Sequence, residues 1–157
     1  MKQEYDAVFT TEIATIGIRL EGSRLVELDY LTPGKSKAPV SKNAENIRDI
    51  LEKYLDAKSK VKDLKVDVKL NVTPFQLKVL KQLELIPYGK TKTYGEIAKK
   101  LKTSPRAVGN ACRNNPVPII IPCHRVISAN GMGGYSGATD GVMMDVKSQL
   151  LRLEGVF

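Results

Sequence analysis

The spacing of apolar residues changes near residues 71–73, and that change limits what this chain can fold into. Upstream, Tyr5, Ala7 and Phe9 recur two apart, as do Ile16, Ile18 and Leu20, and then Val26, Leu28 and Tyr30. Side chains two apart share one face of a strand, so these runs predict three half-buried strands. Glu21-Gly22-Ser23 between the last two runs is a hairpin signal. Residues 32–42 carry two prolines, a glycine and three lysines and read as an exposed loop. Helical spacing follows in Ala44, Ile47, Leu51, Tyr54 and Leu55. Val66, Val68 and Leu70 alternate with Lys65, Asp67 and Lys69, predicting a further strand.

Downstream the pattern is helical and well punctuated. Thr73-Pro74-Phe75-Gln76 has the form of a capping box with proline at the first helical position. Phe75, Val79, Leu80 and Leu83 give that helix a face to bury, and Ile86-Pro87-Tyr88-Gly89 ends it. A second capping box, Thr93-Tyr94-Gly95-Glu96, opens a short helix burying Ile97 and Leu101. After a tight turn at Lys102-Thr103, Ser104 and Pro105 open a third, with Val108, Ala111 and Cys112 on its apolar side. Two short helices joined by a brief turn read as a helix-turn-helix. The expected class is therefore α+β. A small antiparallel sheet plus helix in residues 1–72 serves as a scaffold lobe, packed on a mostly helical, winged-helix-like lobe in residues 73–157.

Charge narrows the partners of the second lobe. Residues 1–72 hold 13 Lys/Arg against 12 Asp/Glu, a net of +1, whereas residues 73–157 hold 12 against 5, a net of +7. From Lys90 to Arg125 there are eight basic residues and one acid, Glu96. A lysine-rich face is often only solvated, but this asymmetry favours a polyanion, nucleic acid above all. At 42% hydrophobic residues the chain has material for a core. It shows no apolar run near the ~20 residues of a membrane span. Its start, MKQEYDAVF, lacks the apolar stretch of a signal peptide.

Residues 121–126 read Ile-Pro-Cys-His-Arg-Val and contain the only histidine, beside one of only two cysteines. If cysteine–histidine chemistry exists here, Cys123 and His124 must carry it, because a thiolate needs a neighbouring base or cation. Adjacent residues of a regular strand would face opposite ways and make no site. Pro122 argues instead for a bend that could bring both side chains to one place. Two cysteines and one histidine at these spacings cannot build a four-ligand zinc site, and neither metal nor cofactor is expected. A needed thiol suits a reducing compartment, so a cytoplasmic, nucleoid-associated protein is expected.

Residues 104–126, SPRAVGNACRNNPVPIIIPCHRV, are followed by NGMGGYSG at 130–137 and KSQLLRLEG at 147–155. In this order the blocks resemble the O6-alkylguanine-DNA alkyltransferase family, across roughly residues 73–157. The first 70 residues match only in length and rough pattern. The resemblance implies direct-reversal DNA repair. The alkyl group of O6-alkylguanine, with O4-alkylthymine as a second candidate, moves irreversibly to Cys123 from a flipped-out nucleotide of double-stranded DNA. The expected protein is a monomer, with cooperative loading on DNA left open.

The same resemblance makes His124 the base, acting through a bridging water, and Glu154 the residue that orients it. Read alone, Glu154 is an exposed helix end beyond an apolar stripe of Val142, Met143, Val146, Leu150 and Leu153. Asn115 would support the turn around the nucleophile; Asn-Asn-Pro equally suits a plain helix C-cap there. Arg106 would fill the base stack behind the extruded nucleotide. Read alone it is one more phosphate contact, a role that Arg113 shares. Ala107 and Gly109 are small, which fits close minor-groove approach with little base readout. Tyr94 would donate a hydrogen bond to the flipped guanine, with Pro118 as a pocket wall. The Val126 carbonyl would read the exocyclic amine, and Tyr135 and Ser136 would close over the base. Without the resemblance both tyrosines read equally well as packing aromatics, and Cys112 reads as core.

One departure stands out. The stretch from Tyr135 to Glu154, through Ala138-Thr139-Asp140-Gly141, is longer than in many relatives, which leaves the pocket loop in doubt. Two other classes compete. One is a non-catalytic damage-binding relative, which would lack the cysteine present here. The other is a helix-turn-helix regulator with a redox-sensing thiol, which leaves the Asn115, Tyr135 and Glu154 matches unexplained.

Overall fold

A computed structural model describes residues 4–59, 61–62, 64–135 and 141–157. They fall into two compact units, Met1–Asn71 and Val72–Phe157.

The first unit is an antiparallel sheet of β1 (Ala7–Thr10), β2 (Thr15–Glu21) and β3 (Arg24–Leu31) in the order β1-β2-β3, followed by α1 (Lys42–Leu55). The period-two runs explain most of it. Ala7, Phe9, Ile16, Ile18, Leu20 and Leu28 are all buried. Gly22, at φ +62, supplies the left-handed residue that the two-residue hairpin requires. Val26 departs from the expected pattern. Leu20 pairs with Leu25 and Arg19 with Glu27, so Val26 is the extra residue of a bulge and Leu25 is buried in its place. Helix α1 starts at Ser41, whose side chain accepts from the Ala44 N–H. It buries Ala44, Ile47, Leu51, Tyr54 and Leu55. The expected strand over Val66–Leu70 is reduced to one parallel bridge, Val68 with Leu25. Among the described residues two backbone bonds hold it, from Leu25 to Asp67 and from Lys69 to Leu25. Alternation predicts a face but cannot supply a partner.

The second unit contains α2 (Pro74–Glu84), β4 (Lys92–Thr93), α3 (Tyr94–Leu101), α4 (Pro105–Arg113), β5 (Val126–Ile127) and α5 (Val142–Leu153). The capping boxes at Thr73/Gln76 and Thr93/Glu96 both form, and the Ser104 side chain caps α4. Thr103 follows Lys102, which is left-handed at φ 56, and together they make the short turn of the helix-turn-helix. Three apolar expectations are corrected. Phe75 in the first turn of α2 is 38% exposed and Val142 in the first turn of α5 is 74% exposed. Leu101 is only half-buried, and Ala98 fills the core beside Ile97. First and last turns project past their packing partners, so their apolar residues need not be covered. The parallel pairing of β4 with β5, Lys92 to Val126 and Thr93 to Ile127, was not expected. It fixes the start of α3 beside the segment that follows Cys123. Among the described residues no helix is long and apolar enough to cross a membrane.

Candidate active site

The site is built on the backbone between α4 and β5. Asn114, not Asn115, is the C-cap of α4, which corrects the cap expected at Asn115. Asn115 turns its amide onto the next loop. Its Nδ2 donates to the Ile121 carbonyl at 2.9 Å, and its Oδ1 accepts from the Val117 N–H at 3.0 Å. Inside this bracket Ile119 is held at φ +75. A β-branched residue is an outlier there, at a cost of ~1–3 kcal/mol, and persists only because its surroundings over-determine it. The bonds Ile121 N–H to Val117 O and Cys123 N–H to Ile121 O carry the chain into a single 3₁₀ turn, Cys123–Arg125. That turn removes the strict two-sided alternation of a strand.

Cys123 is 5% exposed and His124 is fully buried. The His124 Nε2–H donates to Glu154 Oε2 at 2.6 Å, and both side chains are inaccessible to solvent. This bond leaves Nδ1 as the acceptor nitrogen, and Nδ1 is buried with no hydrogen-bond partner among the described residues. Burial holds the imidazole below the ordinary histidine range, opposed by the Glu154 carboxylate. It is therefore a neutral base near pH 7. Burial pushes the Cys123 thiol up to about 11, opposed first by the Asn115 side chain and then by the Lys147 charge.

Two residues of the site were not singled out from sequence. Arg125 clamps the carboxylate. Its Nε donates to Glu154 Oε1 at 2.7 Å and one terminal nitrogen donates to Oε2 at 3.0 Å, while the other reaches the Ile86 carbonyl at 2.7 Å. Glu154 is thus fixed from two sides by neighbours in one tetrapeptide, and the usable signal was the arginine next to the histidine. Lys147 on α5 is fully buried and donates to the carbonyls of Val126, Met132 and Gly134. In sequence it is only the first residue of the KSQLLRLEG block, with no role assigned.

The remaining predicted residues divide into buried and exposed. Pro118, Val126 and Tyr135 are buried, and Pro118 bridges to Ile121. The Tyr94 hydroxyl donates to the Gly134 carbonyl at 3.4 Å, a long bond that a better acceptor could displace. Burial pushes its phenol up to about 12, so it remains a donor at neutral pH. Gly133 passes so close that a Cβ there would lie 2.7 Å from the Tyr94 ring, and its φ is +74. Only glycine suits that position. Ser136 and residues 137–140 of the long loop lie outside the described residues. On α4, Arg106, Asn110 and Arg113 form an exposed stripe, with Ala107 and Gly109 half-buried beside it. Cys112 is buried on the other side, and burial lifts its thiol far above the ordinary range.

A helix-turn-helix together with a buried cysteine next in sequence to a buried His–Glu pair defines the class: a DNA-binding protein with a shielded thiol. Residues 74–156 match the family model described as the DNA-binding domain of 6-O-methylguanine DNA methyltransferase. The chain is 40% identical over 139 residues to the methylated-DNA–protein-cysteine methyltransferase of Archaeoglobus fulgidus, covering 88% of this chain and 90% of that one. A crystal structure of Mycobacterium tuberculosis OGT in complex with DNA matches with a TM-score of 0.77 at 33% identity, over 94% of this chain and 90% of that one. An O6-methylguanine DNA methyltransferase from Methanococcus jannaschii matches with a TM-score of 0.69 at 36% identity, over 96% and 93% of the two chains. The protein belongs to the O6-methylguanine-DNA methyltransferase family.

Proposed function

We propose that this protein repairs alkylated DNA by direct reversal, transferring the alkyl group from O6 of guanine in duplex DNA to Cys123 in one irreversible turnover. The observation that carries the reading is the buried Glu154–His124 pair, 2.6 Å apart, which leaves an unpartnered acceptor nitrogen on the residue that follows the shielded Cys123. His124 Nδ1 takes the thiol proton through a water. The sulfur lone pair attacks the alkyl carbon, the S–C bond forms, and the C–O6 bond breaks with its electrons going to guanine. Guanine recovers a proton and stays in the DNA, and the protein keeps a thioether that water does not cleave. Glu154, braced by Arg125, favours the imidazolium that forms.

Tyr94 supplies a hydrogen bond to the departing base. Pro118, Tyr135, Ser136 and the Val126 carbonyl shape the pocket around it. Arg106 occupies the gap left by the extruded nucleotide. Arg113 and the small residues Ala107 and Gly109 set the approach of α4 to the duplex. The first unit is a scaffold, and a monomer on DNA carrying O6-alkylguanine is the working unit. Intact-mass measurement after incubation with O6-methylguanine DNA is the test. A gain of one methylene, mapped to Cys123, is expected. No gain, or a label on Cys112, overturns the assignment.

A further inference from the structure

The turn that leads from α2 to β4 meets the end of α5 at Glu154. Residues 87–90 close on themselves, the Lys90 N–H donating to the Pro87 carbonyl at 3.0 Å. Gly89, third in the turn, sits at φ +79, the conformation that a type II turn requires there. The Tyr88 hydroxyl reaches 65 positions along the chain and donates to the Leu153 carbonyl at 3.0 Å. That carbonyl lies at a helix end. The N–H groups of Glu154, Gly155 and Val156 turn back to Leu150, Arg152 and Leu151, so the Leu153 oxygen is one of the orphan acceptors that a side chain can satisfy. It also belongs to the peptide group that carries the Glu154 nitrogen. The next peptide group is confined by the same turn, since a Cβ on Gly89 would lie 3.1 Å from the Glu154 carbonyl oxygen. Arg125 closes the circuit. It holds the Glu154 carboxylate and donates to the Ile86 carbonyl at 2.7 Å, and its guanidinium carbon lies 5.8 Å from the Tyr88 ring centre. Both peptide groups flanking Glu154, and its carboxylate, are thus referred to residues 86–89. A plain helix cap would need the first of these contacts only.

We infer that Tyr88 is a positioning residue: its hydroxyl sets the peptide group before Glu154, and so the aim of the Glu154 carboxylate at His124 Nε2. The inference rests on the alkyl-transfer reading and adds to it a residue that acts through Glu154 rather than on the substrate. The bond from His124 to Glu154 is short, at 2.6 Å, and buried, and its direction depends on where the end of α5 is held. Hydrogen bonds weaken steeply as their angle departs from linear, so a small displacement of that end is felt at the imidazole. Without the hydroxyl, Arg125, which contacts both carboxylate oxygens, would place the carboxylate alone. Burial raises the Tyr88 phenol above its ordinary range, and the Glu154 charge acts the same way, so the hydroxyl is a donor at neutral pH.

The test is Tyr88→Phe, which keeps the ring beside Arg125 and removes the donor. His124 is the only histidine of the chain, so its ring ¹H and ¹⁵N resonances identify themselves and report the Glu154 bond without DNA. In the variant the Nε2 proton should move upfield and exchange faster with water. The limiting rate of transfer from benzylguanine should fall by about two- to tenfold, the factor that one neutral hydrogen bond supplies. The half-saturating benzylguanine concentration should not change, because no group that holds the base is altered. A lower melting temperature with the His124 resonances and the limiting rate unmoved overturns the inference and leaves Tyr88 a helix cap. If Tyr88→Phe does not fold, 3-fluorotyrosine in place of Tyr88 decides, since it keeps the hydroxyl as a stronger donor. The His124 Nε2 proton should still move, and an unmoved resonance overturns the inference. Failure of the alkyl-transfer reading shows separately, as no mass gain from alkylated DNA in the wild-type protein.

Discussion

In the first unit, Arg19 lies over the Tyr5 ring at 3.8 Å and pairs with Glu27 at 3.1 Å and Asp29 at 2.9 Å. Tyr5 donates to that same Asp29 at 2.7 Å. In the second unit, one carboxylate, Glu154, serves both Arg125 and His124, with Lys147 buried nearby and no acid of its own among the described residues. The two clusters pair cations with carboxylates in opposite balance. Around Arg19 acids outnumber the cation, and their side chains are 25% and 32% exposed, so water shares the load. Around Glu154 the cations exceed the acid, and solvent is excluded. A part-exposed cluster in acid excess is a staple. A dry cluster in cation excess has no water to share its charge.

The comparison breaks most sharply at the sulfur. Cys123→Ser should abolish covalent transfer while leaving DNA affinity within about twofold, because affinity comes from phosphate contacts elsewhere. Mass spectrometry with a parallel binding titration reads both, and a joint loss would mean that the thiol also shapes the DNA face. Glu154→Gln comes next. Removing one partner of a buried pair costs ~3–5 kcal/mol, so the melting temperature should fall steeply. Transfer to benzylguanine should also shift to higher pH. Loss of the carboxylate lowers the proton affinity of His124 further, so the imidazolium–thiolate pair forms less readily. Superimposable pH profiles would leave Glu154 a packing residue.

Arg106→Ala tests the exposed stripe rather than the buried cluster. Extruding a nucleotide costs a few kcal/mol. Duplex transfer should therefore slow by roughly tenfold or more, while transfer from free benzylguanine is spared. Equal losses on the two substrates would move Arg106 into the chemistry or the fold. Alkylation should destabilise less. An added alkyl group overfills a packed site at ~1–3 kcal/mol, so benzylated protein should melt below methylated protein and both below the free form. A benzyl adduct that melts higher would mean a roomy pocket. The smallest effect belongs to the first unit. Asp29→Asn should cost only ~0.2–1 kcal/mol, the range of exposed pairs, with no change in transfer rate. A loss as large as that of Glu154→Gln would erase the distinction between staple and reactive cluster.

Local chemistry was legible in the linear chain wherever its cause was local. Capping boxes at Thr73 and Thr93, the Ser104 cap, the Gly22 hairpin and the face of α1 each depend on residues within a turn or two. The motifs around Cys123, His124 and Glu154 were legible for a different reason, since their resemblance to one family needs no geometry. The charge asymmetry between the two halves also belongs to the sequence. Pairing across distance was not legible. The Val26 bulge depends on which residues of β2 lie opposite, and the segment through Val68 found room for only one bridge. The contact of β4 with β5 joins residues more than thirty positions apart, which no periodicity encodes. Lys147 and Arg125 were the hardest cases, because sequence assigns a charged side chain to solvent by default. Only tertiary structure could set three carbonyls around one and a carboxylate against the other, and so make each charge cheap enough to bury.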